Sequence, residues 1–536
     1  MRLLTPSSIP TLLAGARVLP VSLALALVVA APLAATPAVP ELLPVAPEPR
    51  EAPPSEATGP AQAEQQRDEV TQVLYDLVDR DPFVQRPAAR YLRERGGLDA
   101  VPFMVTAMRY QQFRNETLLE TLVALTGQDF GSSFEPWAEW MVRERIAPHP
   151  AFRQWQADFL ARLNPRFGEF LDPERPSTIE AAEIQWGGVA PEGIPSLDDP
   201  AVTGVAEAGY LADDELVFGV ALAGDGAGAG TPAGAAAAAG VGGAAAGGTG
   251  DPALSGAVAP GRPGRIEARA YPLRILDWHE MTNDVVAGVP VALSYCTLCG
   301  SGVLFDRRIG ERTFTFATSG LLYRSNKLMF DHETETLWSN LTGKPVLGPL
   351  VGEDLTLRVL PMVVTTWGEW RREYPDTTVL SLETGYDRDY RPGQAYGEYF
   401  ASPDTMFPVG VRDDRLPAKA WVFAIRSGEA AMAFELEALQ QEGVLNTRVG
   451  EQPVVLVVGG GRAVRAYERG ELAFDWLPGR PGETTLVASD GSRWRVSDVA
   501  MYREGGGGVL NRLPGHLAYW FGWYAFFPDT GLWTGQ

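Results

Sequence analysis

Apolar positions recur along this chain at two different periods, and the change of period divides it. Between residues 64 and 175 the spacing is helical: Val70, Val73, Leu74, Leu77 and Val78 fall three or four apart. The same spacing predicts helices over 85–95, 99–109, 115–126, 134–146 and 151–163, with Gly127 placed to end one of them. Short helices in succession predict antiparallel pairs, a small all-α domain resembling HEAT-type repeats. From about residue 186 the pattern becomes short apolar runs broken by Gly, Pro, Asn and Asp, the signature of strands and turns. The predicted fold class is α+β: a helical domain over 64–175, then a β-rich unit over 186–531.

The β-rich unit repeats itself. Val217-Phe218-Gly219-Val220 resembles Val422-Phe423-Ala424-Ile425, and Ala270-Tyr271-Pro272-Leu273 resembles Ala433-Phe434-Glu435-Leu436. From Tyr271 the two copies run without a gap at an offset of 163, so that Asn283 meets Asn446 and Pro290 meets Pro453. Later the offset becomes 153: Trp367 meets Trp520, Trp370 meets Trp523, and Pro375-Asp376-Thr377 meets Pro528-Asp529-Thr530. The expectation is two pseudo-repeated halves, 186–420 and 421–531, packed as one unit.

Three stretches fall outside the expected folded units. Residues 1–38 carry Arg2 and Arg17 before an apolar run, then small residues, which reads as a signal peptide or an N-terminal membrane anchor through residues 19–35. Residues 39–63 form a Pro/Ala-rich linker, and residues 223–264 are almost wholly Gly, Ala and Pro, a disordered insertion at a hairpin tip. The expected localisation is extracytoplasmic: periplasmic, secreted or membrane-anchored.

Charge removes one class of partner. Lys and Arg number 45 against 67 Asp and Glu, a net charge of −22, which argues against nucleic acid. The helical domain is the expected surface for a protein partner. No Walker, His-Glu-x-x-His or Ser-His-Asp pattern is present, and Gly459-Gly460-Gly461 lacks the following Lys-Ser/Thr of a phosphate loop.

Candidate chemistry gathers in Ser294-Tyr295-Cys296-Thr297-Leu298-Cys299-Gly300-Ser301-Gly302, which holds both cysteines of the chain. Strand-like runs lead in and out, so the cysteines belong at a turn. A Cys-x-x-Cys-Gly turn can chelate a metal, close a reversible disulfide, or serve as a structural pair. A strand rather than a helix follows, which disfavours thioredoxin-like activation of the first thiol. A metal would need further ligands: His279 is the first candidate, with Met329 and His332 to close the shell. Thiolates with imidazole and thioether favour copper, whereas two thiolates and two imidazoles suit zinc. Each of the three has an ordinary alternative: a hydrogen-bonded core residue for His279, packing for Met329, a surface position for His332. The cluster Tyr386-Asp387-Arg388-Asp389-Tyr390 is either a polar pocket wall or a solvated loop.

Several exact strings then coincide: Gly193-Ile194-Pro195, Tyr271-Pro272-Leu273, Trp278-His279-Glu280 with Asn283-Asp284, and Tyr295-Cys296 with Leu298-Cys299-Gly300. Further on come Ser319-Gly320-Leu321-Leu322, Leu341-Thr342-Gly343, and Trp370 with Pro375-Asp376-Thr377. With these, residues 186–531 resemble the domain-of-unknown-function family DUF3179. Thr297 stands where that family usually has Pro, and the Gly/Ala insertion is extra. The resemblance implies a family and a fold, and no reaction. The functional expectation is an exported protein binding a soft transition metal at the Cys-x-x-Cys-Gly turn and acting in redox chemistry. The alternatives are a non-catalytic metal carrier or sensor, or an interaction protein with a structural or redox-active cysteine pair.

Overall fold

The computed structural model describes residues 69–110, 116–224, 265–477 and 484–535. The expected signal segment and linker, and all but Ala223 and Gly224 of the Gly/Ala tract, lie outside these residues.

The N-terminal part is helical, as Glu69–Leu77, Pro82–Arg95, Val101–Tyr110, Glu116–Thr126, Phe134–Arg143, Phe152–Ala161 and Pro165–Phe170. Two of these starts have a clear local cause. Asp81 and Asn164 each accept a backbone N–H with the side chain, and a proline follows each in the first turn. The apolar stripes close on an aromatic centre in which Phe103 meets Phe152 edge-on at 5.1 Å and Trp155 at the same distance. The last helix, with the end of the one before it, turns elsewhere. Leu160, Phe167 and Phe170 pack with Leu321, Leu328 and Phe330 of the strands beyond, so helices and sheets share a core. Among the described residues no helix is long and apolar enough to cross a membrane.

The C-terminal part is β-rich. Leu216–Ala223 pairs antiparallel with Ile266–Pro272 and with Val363–Thr366, while Thr378–Leu380 runs parallel to Ile266–Pro272. The pairing reaches Ala223 opposite Ile266, so the chain on either side of the Gly/Ala tract is joined in one hairpin. Trp421–Ser427 pairs antiparallel with Ala430–Glu435 and with His516–Tyr519, and Gly531–Trp533 runs parallel to Ala430–Glu435. Each hairpin feeds a seven-residue helix, Leu273–His279 or Leu436–Glu442.

Antiparallel strands follow each helix. After Leu436–Glu442 they form an eight-stranded sheet that nearly closes into a barrel. Its end strands meet at Asn446, whose amide donates to Phe474 O at 2.7 Å while its oxygen accepts from Phe474 N at 2.8 Å. After Leu273–His279 the strands divide between two five-stranded sheets. Asn283 ties these together through the same pair of bonds, to Phe316 O at 2.8 Å and from Phe316 N at 3.0 Å. The indole of Trp370 donates to Thr377 Oγ1 at 2.9 Å, and that of Trp523 to Thr530 Oγ1 at 3.0 Å.

Candidate functional site

Strands Val289–Cys296 and Ser301–Asp306 are in register with Cys296 opposite Ser301. Thr297 to Gly300 make the turn, closed by Gly300 N–H to Thr297 O at 3.3 Å. Gly300 is fixed for two reasons. Its φ is 60°, and a Cβ there would come within 2.5 Å of the Trp421 ring. The turn is thus pressed against strand Trp421–Ser427.

Both cysteines are free thiols and buried, and both sulfurs face one backbone oxygen. Ser325 O lies 3.1 Å from Cys299 Sγ and 4.0 Å from Cys296 Sγ. That oxygen sits in a two-residue hairpin turn with φ of 50° at Arg324 and 61° at Ser325. This is the geometry that Asn-Gly ordinarily supplies, and non-glycine residues are held in it at a cost of about 1–3 kcal/mol each. Three other stretches hold the turn in place. Arg324 donates to Glu183 at 2.7 Å and to Ala525 O at 2.8 Å, and Ser325 Oγ to Pro408 O at 2.8 Å.

The two thiols differ in acidity. Burial raises the Cys299 thiol well above its ordinary range, and its hydrogen bond to Cys296 adds to this. Burial acts against Cys296 as well. There the Cys299 thiol, with the backbone N–H groups of Lys327 and Cys299, stabilises the sulfur anion and brings the pKa below the usual value. Of the two buried thiols, Cys296 is therefore the more acidic.

A buried polar shell surrounds the pair. Glu280 caps the helix Leu273–His279 in the left-handed conformation, φ 56°. Its carboxylate accepts from Thr297 Oγ1 at 2.8 Å and Tyr396 OH at 3.4 Å, and burial raises its pKa. Lys327 is 5% exposed and donates from Nζ to Glu280 O. Burial lowers the Lys327 ammonium to about 8, against the attraction of Glu280 and Cys296.

The structure brings Cys296 and Cys299 together and places the other three expected ligands elsewhere. His279 has both ring nitrogens engaged, Nδ1 with Pro195 O at 2.8 Å and Nε2 with Tyr390 OH at 2.6 Å. Burial holds its pKa down. Met329 packs with Phe305, Phe316 and Trp338, in a core cluster separate from that of the cysteines. His332 is exposed, stacked on Phe330 at 5.3 Å, with Nε2 3.2 Å from Glu192 Oε1. Among the described residues no three His, Cys, Asp or Glu side chains converge as a metal site. Of the Tyr386–Tyr390 cluster, Tyr390 supports His279 and Tyr386 is exposed.

Lys327, Asn326, Ser301, Asn340 and Tyr396 were not legible as site residues. Four of them lie in segments buried at every position, where a polar residue among apolar neighbours is the available signal.

Two later stretches of chain close the site. A Cβ on Gly522 would approach Cys299 Cβ to 2.8 Å, and Tyr519 N–H donates to Cys299 O at 2.8 Å. Tyr399, from the short helix Gly397–Ala401, donates to Leu298 O at 2.6 Å. The contact is reciprocal. Gly460 and Gly461 press on Glu369 and Thr366 at the start of helix Trp367–Glu373, just as the turn at Cys299 seats on Gly522 of helix Trp520–Tyr524.

Residues 264–530 match the model of DUF3179, described as a protein of unknown function. No curated protein and no solved structure gives a match. Over residues 264–530 the chain belongs to the DUF3179 family.

Proposed function

We propose that Cys296 and Cys299 form a redox-active dithiol that cycles to an intramolecular disulfide, in an exported oxidoreductase. The observation that carries this reading is the convergence of both free sulfurs on Ser325 O, with no group of three His, Cys, Asp or Glu side chains that could hold a metal among the described residues. Zinc takes four protein ligands in a structural site and three in a catalytic one, and the expected third and fourth are engaged elsewhere. A disulfide needs only the two sulfurs. The reading also fits a chain whose first 38 residues have the composition of an export signal, since disulfides persist outside the cytoplasm. Mass spectrometry of the oxidised chain under non-reducing conditions tests it: a peptide joining Cys296 to Cys299, lost on reduction, is the expected product.

A second reading rests on the same convergence. Monovalent copper is satisfied by two soft sulfurs, so a copper carrier needs no third ligand either. Elemental analysis of reduced protein separates the two: stoichiometric copper, lost in Cys296→Ser, favours the carrier.

We also propose that residues 186–420 and 421–531 are two copies of one unit, with the chemistry kept in the first. Support comes from the matched Trp–Thr and Asn–Phe bonds and from the reciprocal seating of turn on helix. Gly459 and Arg462 stand where the first copy has Cys296 and Cys299.

A further inference from the structure

We propose that the buried polar cluster of Ser294, Ser301, Asn326 and Asn340 beside the thiols forms a chamber that binds a small neutral peroxide, and that such a peroxide is the oxidant of the pair. The proposal rests on the dithiol reading and names its substrate class. Ser301 stands opposite Cys296, and its hydroxyl accepts from Asn326 Nδ2 at 3.2 Å and Asn340 Nδ2 at 3.5 Å. Asn326 directly follows Ser325, whose backbone oxygen both sulfurs face, which ties the chamber to the dithiol. Ser294 lies two residues before Cys296, on the same face of the strand. Exposure of Ser294, Ser301 and Asn340 is 0%, and of Asn326 1%. Among the described residues, Asn326 Oδ1, Asn340 Oδ1 and Ser294 Oγ have no hydrogen-bond partner.

Buried polar atoms without partners are uncommon, and three on one side of a reactive pair point to something that binds there. The two orphaned amide oxygens are acceptors. Hydrogen peroxide offers two O–H donors and carries no charge to desolvate. Size points the same way. Cys296 and Cys299 are 1% and 0% exposed, under Trp421, Tyr399 and the helix that holds Gly522, so a bulky disulfide does not reach them without opening the two halves.

The chemistry balances. The Cys296 sulfur attacks one peroxide oxygen, an S–O bond forms and the O–O bond breaks. The departing hydroxide takes the Cys296 proton as water. Cys299 then attacks the Cys296 sulfur, an S–S bond forms, the S–O bond breaks, and the second hydroxide leaves with the Cys299 proton. Two thiols and one peroxide become one disulfide and two waters, with two electrons passing to oxygen.

The test uses the reduced full chain, with hydrogen peroxide and oxidised glutathione as probes and quenched alkylation as the readout. Relative to the chain unfolded in guanidinium, peroxide should oxidise the folded pair at least tenfold faster, and glutathione at least tenfold slower. Asn340→Leu, which fills the chamber, should slow peroxide oxidation at least tenfold in a chain that still melts cooperatively; Ser294→Ala is the second variant should the first not fold. A peroxide rate unchanged in these variants means a chamber for water only and overturns the proposal. Disulfide formation by glutathione but not by peroxide overturns the chamber and leaves the dithiol standing. Failure of both oxidants to link the folded pair removes both.

Discussion

The sulfur of Cys299 sits 3.1 Å from the backbone oxygen of Ser325, a residue 26 positions further along the chain. That contact decides the orientation of the pair. An acceptor on rigid backbone holds the Cys299 thiol in place beside Cys296. The strained turn at Arg324 and Ser325, and the bonds that clamp it, then become part of the site.

Replacing Cys299 by Ser keeps a donor for Ser325 O and should cost only about 1 kcal/mol of stability. It leaves Cys296 without a resolving partner. Oxidation should then stop at a sulfenic acid or a mixed disulfide, read as a mass gain rather than the loss of two hydrogens. An internal crosslink in this variant would contradict the assignment.

Gly522→Ala places a methyl 2.8 Å from Cys299 Cβ. Overpacking of this kind costs about 1–3 kcal/mol. Thermal melting should show the loss, and alkylation of Cys299 in the folded chain should accelerate because helix Trp520–Tyr524 is lifted off the turn. Unchanged melting would mean that this helix does not press on the turn.

His279 is predicted to be structural. His279→Ala removes two hydrogen bonds and should destabilise by about 1–3 kcal/mol, while the disulfide still forms. A variant that keeps its melting temperature and loses the redox cycle would return His279 to the site.

Acid sensitivity follows from the buried imidazoles. Burial lowers His516 to about 4, with Arg426 adding to the effect, and lowers His279 as well. Both are neutral when folded, and the unfolded chain takes up the proton first. Their contribution is fully present above about pH 6.5 and is lost as the pH falls towards 4. Urea midpoints should therefore fall over that window, and His516→Gln should flatten the fall.

Much of this was written in the chain. The helical spacing gave the N-terminal helices, and the glycines around Cys296 and Cys299 gave the turn. The boundary near residue 175 was legible as a change of period, but the core does not respect it, because Phe167 and Phe170 pack on Phe330. Sequence periodicity reports which residues are apolar and not what they pack on. His279 could be read as a ligand because its partners Pro195 and Tyr390 are 84 and 111 residues away. The tight turn at Arg324-Ser325 was missed for a different reason: its residues lack the Asn-Gly signal, and tertiary clamps substitute for local propensity.

The most direct test of the central claim is a redox titration of the full chain. The protein is equilibrated across a series of reduced and oxidised dithiothreitol ratios, quenched in acid, alkylated and weighed. The dithiol account predicts a single two-electron transition in which both alkylation sites vanish together, return on reduction, and are absent from the titration of Cys296→Ser. Two sites that stay alkylatable at every ratio, in protein that remains folded, would contradict it.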